Sequence, residues 1–344
     1  MLAPDQTVSD FEFPSIAARA LARRLVVPAL LGGAALVAVA LAGGPLHRFA
    51  GALRHGLGAN GGWIAVGAVL ELVSLAAYVG LLSLVAGRAT PRVGTRESAQ
   101  ITLAGAAATR LLPTAGAGGA GLTLWAFRRA GLKPLVAART LLVFLVILYS
   151  VFLVSIAVAG GATALGLFGS HGAALLSAVP ALAATAGIGL ALVLASGRGM
   201  GADRHRDSRV GRGCRLLGEA IREAAELVRS GDPRLVGAVG YWAFDAAVLW
   251  ATLHAFGSPP ALPVIALAYF VGQVANTLPL PGSVSGGITG LLIAFGVPAA
   301  VALPSVLAYR AIAVWLPTPA AIAAVPGLRS TIARWRREDV DQTA

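Results

Sequence analysis

Apolar runs of about 20 residues recur along this chain, and they constrain its fold more than any other feature. Each of six runs is long enough to cross about 30 Å of hydrocarbon as a helix. The runs cover residues 25–43, 63–86, 135–160, 173–195, 235–257 and 298–325. Only 12% of the residues are charged, about half the fraction of roughly 25% that is typical of soluble domains. The sequence therefore predicts an all-α, polytopic integral membrane bundle with about six full spans.

Two further apolar regions, 100–127 and 262–295, are interrupted by residues that break helices. The breaks include Pro113, Gly118 and Gly119 in the first region and Pro281, Gly286 and Gly287 in the second. Both regions are shorter than the roughly 40 residues that two full spans and a turn require. Because proline ends the helical hydrogen-bond ladder and glycine accepts unusual dihedrals, each region predicts a re-entrant helical hairpin.

Charge predicts the orientation of the bundle. The net charge is +12, and with six spans and two hairpins nearly all basic clusters fall on one side. These clusters are Arg19, Arg23 and Arg24; Arg88, Arg92 and Arg96; Arg128, Arg129 and Lys133; the loop 197–234; and the tail 327–344. The opposite side holds only Arg48 and Arg54. The positive-inside rule then predicts a multi-pass protein of the cell inner membrane with both termini cytoplasmic, namely a segment 1–24 and the basic tail, flanking a membrane domain 25–326.

The two hairpins also share a spacing. Pro113 and Pro281 are each followed by two glycines at offsets of five and six residues, and each hairpin lies between two full spans. The charge-derived topology makes the first hairpin enter from the cytoplasm and the second from outside. We therefore expect an inverted repeat, over about 62–160 and 235–326, of the kind found in secondary transporters.

Charged residues within apolar segments mark candidate functional positions. Glu71 and Asp245 lie in the middle of the spans that precede the two hairpins, Arg110 lies in the first hairpin, and Arg310 lies deep in the last span. A charge at the centre of a membrane helix costs at least about 2.5–3.5 kcal/mol, so such groups face the bundle interior and pair. Two interpretations stay open: internal ion pairs that fix packing, or a substrate or ion path. In the second, Glu71 and Asp245 balance charge or carry coupling protons.

The hairpin breaks predict an anion site. The second half-helix of each hairpin would begin near the membrane centre, where its free N–H groups and dipole are positive. Together with Arg110 and Arg310, which suit bidentate phosphate binding, the candidate substrate-binding residues are Thr114, Gln273, Asn276, Ser283 and Ser285. The predicted ligand is the headgroup of an anionic phospholipid or a polyprenyl phosphate. The alternative is that the glycines only allow close helix packing.

The cytoplasmic loop predicts an amphipathic helix over 215–229. Such a helix either lies on the membrane surface or docks a partner enzyme. No metal-ligand spacing, P-loop or nucleophile elbow occurs in the sequence, and no nucleic-acid motif either. The sequence therefore predicts neither an enzyme nor a cofactor, metal or nucleic-acid site.

Short motifs in this chain resemble the lysylphosphatidylglycerol synthase transmembrane family. The first hairpin, from 111–113 through Gly118 and Gly119 to 128–131, resembles the first hairpin of that family. Residues 278–282 and 295–298 resemble its second hairpin, and Tyr309-Arg310 followed by 315–317 resembles its last span. The resemblance covers about 63–325 and implies a flippase-like domain. We expect no aminoacyltransferase domain, so the resemblance does not imply lysine transfer.

The chain departs from the family pattern at several polar positions. Family members carry charged residues at positions where this chain has uncharged ones. These positions are Ala120 and Thr123, Phe144 and Leu145, and Ile288 and Thr289. From all these features we expect a membrane lipid translocase whose partners are membrane lipids. Two alternatives remain: a structural membrane partner of a lipid- or glycan-synthesising enzyme, and an ion-coupled small-solute transporter.

Overall fold

The computed structural model describes residues 59–111, 117–167, 174–197, 209–277 and 282–343. Within them 88% of residues are helical and none lies in a strand, which confirms the all-α prediction. The predicted N-terminal segment 1–24 and first span 25–43 lie outside the described residues.

Eleven α-helices occur in the described part of the chain. They are α1 (Gly61–Ala89), α2 (Thr95–Leu111), α3 (Ala117–Arg129), α4 (Pro134–Ala164), α5 (Ala174–Ser196), α6 (Arg209–Arg229), α7 (Val236–Phe256), α8 (Leu262–Val274), α9 (Ser283–Ala294), α10 (Ala299–Trp315) and α11 (Thr318–Thr343). Short 3₁₀ turns, Pro233–Leu235 and Ala275–Thr277, precede α7 and follow α8.

Five helical segments of the described chain are long and apolar enough to cross a membrane. They are Gly61–Ala89, Pro134–Ala164, Ala174–Ser196, Pro233–Phe256 and Ala299–Asp341. They match five of the six predicted spans, so the structure supports a multi-pass membrane protein. Helices α8 and α9 are apolar but shorter.

The last predicted span, 298–325, is divided in the structure. Helix α10 ends at Trp315, and α11 begins at Thr318. Pro317 lies between them, and its ring removes a backbone donor from the helical ladder. Helix α11 then runs to Thr343, so the basic tail predicted from residue 327 onward continues an apolar helix.

Helices α1 and α7 form a close antiparallel pair. The Asn60 N–H donates to the Ala255 carbonyl at 3.0 Å, and the Ser74 hydroxyl donates to the Tyr241 carbonyl at 2.8 Å. Gly237 lies directly against the backbone of Ala77, and small residues of this kind let membrane helices approach closely. This register puts the middle of α1 level with the middle of α7.

Helices α2 and α3 form the first hairpin. They cross where Gly105 meets Gly119, since a Cβ atom added to Gly105 would lie 3.5 Å from the Gly119 Cα. The two outer ends of this hairpin lie together, because Gly131 is close to the Arg92 guanidinium. Both residues lie just beyond the C-terminal end of α1.

Helices α8 and α9 form the second hairpin, and they cross where Gly272 meets Gly287. A Cβ atom added to Gly287 would lie 3.3 Å from the Gly272 Cα. The chain enters and leaves this hairpin at neighbouring positions, since Gly257 packs against Val301. Those positions adjoin Ala255 and therefore the N-terminal end of α1. The two hairpins thus open at opposite ends of α1.

The predicted amphipathic helix is α6, which covers α4 and α5. Its buried face includes Ala220, Ala224 and Leu227, and Gly218 approaches the Leu194 carbonyl of α5. Arg139 of α4 pairs with α6 through the carboxylates of Glu219 and Glu223.

Basic residues gather where α1 ends. The described segments that meet there are the α1–α2 loop, the α3–α4 loop, α6, the start of α7 and the end of α11. Arg110 and Arg310 lie away from this end. The other described Lys and Arg residues lie in these segments, in the adjoining helix ends (Arg88, Arg96, Arg128 and Arg129), or near the start of α4, where Arg139 pairs with α6. Contacts between segments include the Arg92–Asp339 pair at 2.6 Å and the Arg334–Glu97 pair at 3.2 Å.

Candidate functional site

Asp245 is the centre of a buried polar cluster. It lies near the midpoint of α7 and is only 7% exposed. The Tyr269 hydroxyl of α8 donates to its Oδ2 atom at 2.5 Å, and the Tyr309 hydroxyl of α10 donates to the same atom at 3.3 Å. One carboxylate oxygen therefore joins α7 to the second hairpin and to the helix that follows it.

Gln273 extends this cluster. Its Nε2 group donates to the Tyr309 hydroxyl at 3.0 Å, so Tyr309 accepts one hydrogen bond and donates another. We predicted Gln273 as a residue that lines the approach to a ligand. The structure places it in the network that surrounds Asp245, one helical turn after Tyr269.

The other oxygen of Asp245, Oδ1, is buried and has no hydrogen-bond partner among the described residues. Arg310 is the residue after Tyr309 in α10, and it is half-buried. Its guanidinium interacts electrostatically with Asp245 and with Tyr309. Among the described residues it forms no ion pair within 4.0 Å. Asp245 and Arg310 therefore share this interior region without forming a direct ion pair.

Glu71 belongs to the same region. It is 5% exposed, and the α1–α7 register places it level with Asp245. It interacts electrostatically with Tyr241 and Tyr309, both of which also interact with Asp245. The sequence predicted that Glu71 and Asp245 occupy equivalent positions along their helices, and the structure brings them into one cluster.

The tyrosines are the part of the site that sequence reasoning missed. Tyr269 and Gln273 are four residues apart, which puts them on one face of α8. A buried tyrosine hydroxyl usually requires a partner, so a tyrosine in the middle of an apolar helix is itself a signal. Tyr309 entered the sequence analysis only through the family resemblance.

The other predicted site residues lie near the C-terminal ends of α2 and α8, near the start of α9, or outside the described residues. Gly282 has a left-handed backbone (φ 80°), and α9 begins at the next residue. Ser283 and Ser285 are half-buried in its first turn, and Asn276 is exposed in the preceding 3₁₀ turn. Arg110 lies in the last turn of α2, but its side chain is outside the described part of the structure. Pro113, Thr114 and Pro281 also lie outside it.

The glycines at the predicted breaks divide into two kinds. Gly119 and Gly287 lie at the helix crossings of the two hairpins. Gly118 is half-buried, and Gly286 is exposed with open space beside it.

This arrangement provides two buried carboxylates, one half-buried guanidinium and several hydroxyl groups inside an apolar bundle. Such groups are suited to exchanging a proton or holding an anion. Among the described residues, no cluster of three His, Cys, Asp or Glu side chains could hold a metal ion. Comparison with known family models and with curated proteins finds no match to this chain.

Proposed function

We propose that this protein is a flippase-like membrane lipid translocase. It moves an anionic phospholipid or a polyprenyl-phosphate-linked lipid between the leaflets of the cell inner membrane. The observation that carries the proposal is the pair of helical hairpins that open at opposite ends of α1. Transporters whose broken helices enter from both sides expose a central site alternately to each side.

Helix lengths support re-entrant hairpins. Helices α3, α8 and α9 have 13, 13 and 12 residues. At 1.5 Å per residue they extend about 18–20 Å, which is less than the roughly 30 Å of a hydrocarbon core. Each such helix would end inside the membrane.

Packing supports the inverted repeat. Gly119 and Gly287 both follow a proline by six residues in the sequence, and both form the crossing of their hairpin. Two hairpins that open in opposite directions therefore cross in the same way, at a glycine six residues after a proline. The basic end of the bundle would lie in the cytoplasm, by the positive-inside rule.

Arg310 is the proposed headgroup ligand. Its planar guanidinium suits a phosphodiester, and it lies beside a buried carboxylate rather than in a closed ion pair. Arg110, Ser283 and Ser285 would complete the phosphate site from the two hairpin turns.

The acidic pair also fits an ion-coupled small-solute transporter. Two buried carboxylates at one level, Glu71 and Asp245, are the observation that favours this second candidate. The structural-partner alternative would require α6 to dock through its exposed face, because its apolar face is buried against α4 and α5.

Headgroup accessibility of fluorescent phosphatidylglycerol in proteoliposomes tests the proposal. We expect protein-dependent movement between leaflets, which Arg310→Ala abolishes while the melting temperature is kept. Arg336→Ala, which removes the same charge from an exposed position of α11, should move lipid like the wild-type protein. The absence of movement for several anionic and polyprenyl-phosphate lipids would contradict the proposal. If pH-dependent uptake of a small solute accompanied that result, the second candidate would replace it.

A further inference from the structure

The two oxygens of Asp245 differ in their surroundings. Oδ2 accepts hydrogen bonds from Tyr269 and Tyr309. Oδ1 is buried and has no partner among the described residues. A carboxylate is an acceptor through both oxygens, whereas a protonated carboxyl group uses one oxygen as an O–H. Oδ1 is therefore the position where a proton would bind.

Opposing effects act on the charge of Asp245. The two tyrosine hydroxyls stabilise the ionised form, since hydrogen bonds to a charged acceptor are the stronger ones. Burial in the centre of a membrane helix and the unpartnered oxygen both favour the protonated form. Within the described part of the chain, Asp245 has no closed ion pair that would fix either state.

Titratable groups from every helix packed around this position contribute to that balance. Helix α1 contributes Glu71 and Tyr78, α8 contributes Tyr269, α10 contributes Tyr309 and Arg310, and α7 itself contributes Tyr241. Helix α4 contributes Tyr149, which lies against the neighbouring Trp242 ring. Arg310 supplies the one positive charge among these described groups, so it is the group through which a change at Asp245 would reach a ligand.

We propose that Asp245 binds a proton at Oδ1 and that this proton and an anionic lipid headgroup bind cooperatively. The inference rests on the proposed function. Ionised Asp245 and the lipid phosphate both attract Arg310. When a proton from bulk water adds to Oδ1, the negative charge disappears, and the phosphate no longer competes for the guanidinium. By thermodynamic linkage, headgroup binding must then also favour protonation.

Infrared difference spectroscopy of the protein in liposomes tests the proton site without any transport. Between acidic and neutral pH we expect a C=O stretching band of a protonated carboxylic acid. Asp245→Asn should remove this band and Glu71→Gln should retain it. In Tyr269→Phe the band should persist to higher pH, because the ionised form has lost a donor. A band that is unchanged in a folded Asp245→Asn protein, or unchanged in pH dependence in Tyr269→Phe, would overturn the inference.

Binding of fluorescent phosphatidylglycerol to the detergent-solubilised protein tests the coupling. We expect binding at acidic pH to be about 5-fold tighter or more than at neutral pH. Asp245→Asn should bind tightly at both pH values, and Arg310→Gln should bind weakly at both. Unaltered pH dependence in Asp245→Asn would overturn the coupling. A titrating Asp245 band in a protein that binds and moves no lipid would instead contradict the proposed function and the coupling, and it would leave the proton site at Asp245 standing.

Discussion

The two hairpins share a crossing but are held in different places. The first, α2–α3, is held at its outer end, where Glu97 pairs with Arg334 and the Thr331 hydroxyl donates to the Gln100 side chain. The second, α8–α9, is held inside the bundle, where Tyr269 donates to Asp245. One hairpin is thus tied to α11 through the Arg334–Glu97 pair and the Thr331–Gln100 hydrogen bond, and the other is tied to a buried carboxylate.

Equivalent positions make the difference sharper. Counted back from the crossing glycines Gly105 and Gly272, Thr102 stands where the second hairpin has Tyr269. The Thr102 hydroxyl is buried without a hydrogen-bond partner among the described residues. Both hairpins therefore cross at glycines, but only the second has a hydrogen-bonded side chain three residues before its crossing glycine. We infer that the second hairpin responds to the charge state of the site and that the first serves mainly as scaffold.

The largest effect on stability should come from the hydrogen bond between Tyr269 and Asp245, which holds the second hairpin inside the bundle. Tyr269→Phe removes a hydrogen bond to a buried carboxylate, so we expect the free energy of unfolding to fall by about 1.5–3 kcal/mol. Thr102→Val at the equivalent position should be neutral or stabilising, because an unpartnered buried hydroxyl is replaced by a methyl group. Denaturation of both variants in the same detergent measures the difference. Equal losses in the two variants would show that the hairpins are anchored alike.

Alanine substitutions at the two glycine crossings should differ less in their effect on stability than Tyr269→Phe and Thr102→Val do. A Cβ atom on Gly272 would lie 2.8 Å from the Ile288 backbone nitrogen, whereas one on Gly105 would be in ordinary contact with Gly119. Overpacking costs about 1–3 kcal/mol, offset by up to about 1 kcal/mol of helix propensity. We therefore expect Gly272→Ala to lose about 1–2 kcal/mol.

Gly105→Ala is the matched control for this crossing, and it should change the unfolding free energy by less than about 0.5 kcal/mol. Thermal unfolding of the two purified variants compares them directly. A larger loss in Gly105→Ala than in Gly272→Ala would mean that the first hairpin has the tighter crossing.

Much of the fold could be predicted from the sequence because it depends on composition and spacing. Apolar length located the five described segments that are long enough to span a membrane. Proline with glycine located the interruptions between α2 and α3 and between α8 and α9, whose connecting residues 112–116 and 278–281 lie outside the described part of the chain. The division of the last span at Pro317 was harder to predict, since other prolines, such as Pro180 of α5 and Pro304 of α10, lie within continuous helices. A proline removes one hydrogen bond, and neighbouring packing decides whether the helix continues.

The site could be predicted only in part. Glu71, Asp245 and Arg310 were identifiable because a charge inside an apolar helix is costly. Their common neighbours Tyr241 and Tyr309 were not, since a tyrosine fits an apolar helix and the chain alone does not say what its hydroxyl contacts. The α1–α7 register that brings the two carboxylates together depends on the close approach of Gly237 to Ala77 and on hydrogen bonds to backbone carbonyls, such as that from Ser74 to Tyr241. The sequence does not indicate which carbonyl such a hydroxyl contacts.

The smallest effect should come from the outer anchor of the first hairpin. Arg334 is 45% exposed where it pairs with Glu97, and exposed ion pairs contribute about 0.2–1 kcal/mol. Arg334→Gln should therefore lower the unfolding free energy by no more than that amount, and the loss should shrink as salt is raised because the pair is screened. Arg336→Gln, an exposed change on the same helix, should have no such salt dependence. If Arg334→Gln cost as much as Tyr269→Phe, both hairpins would be firmly anchored, and only the charge on Asp245 would still distinguish them.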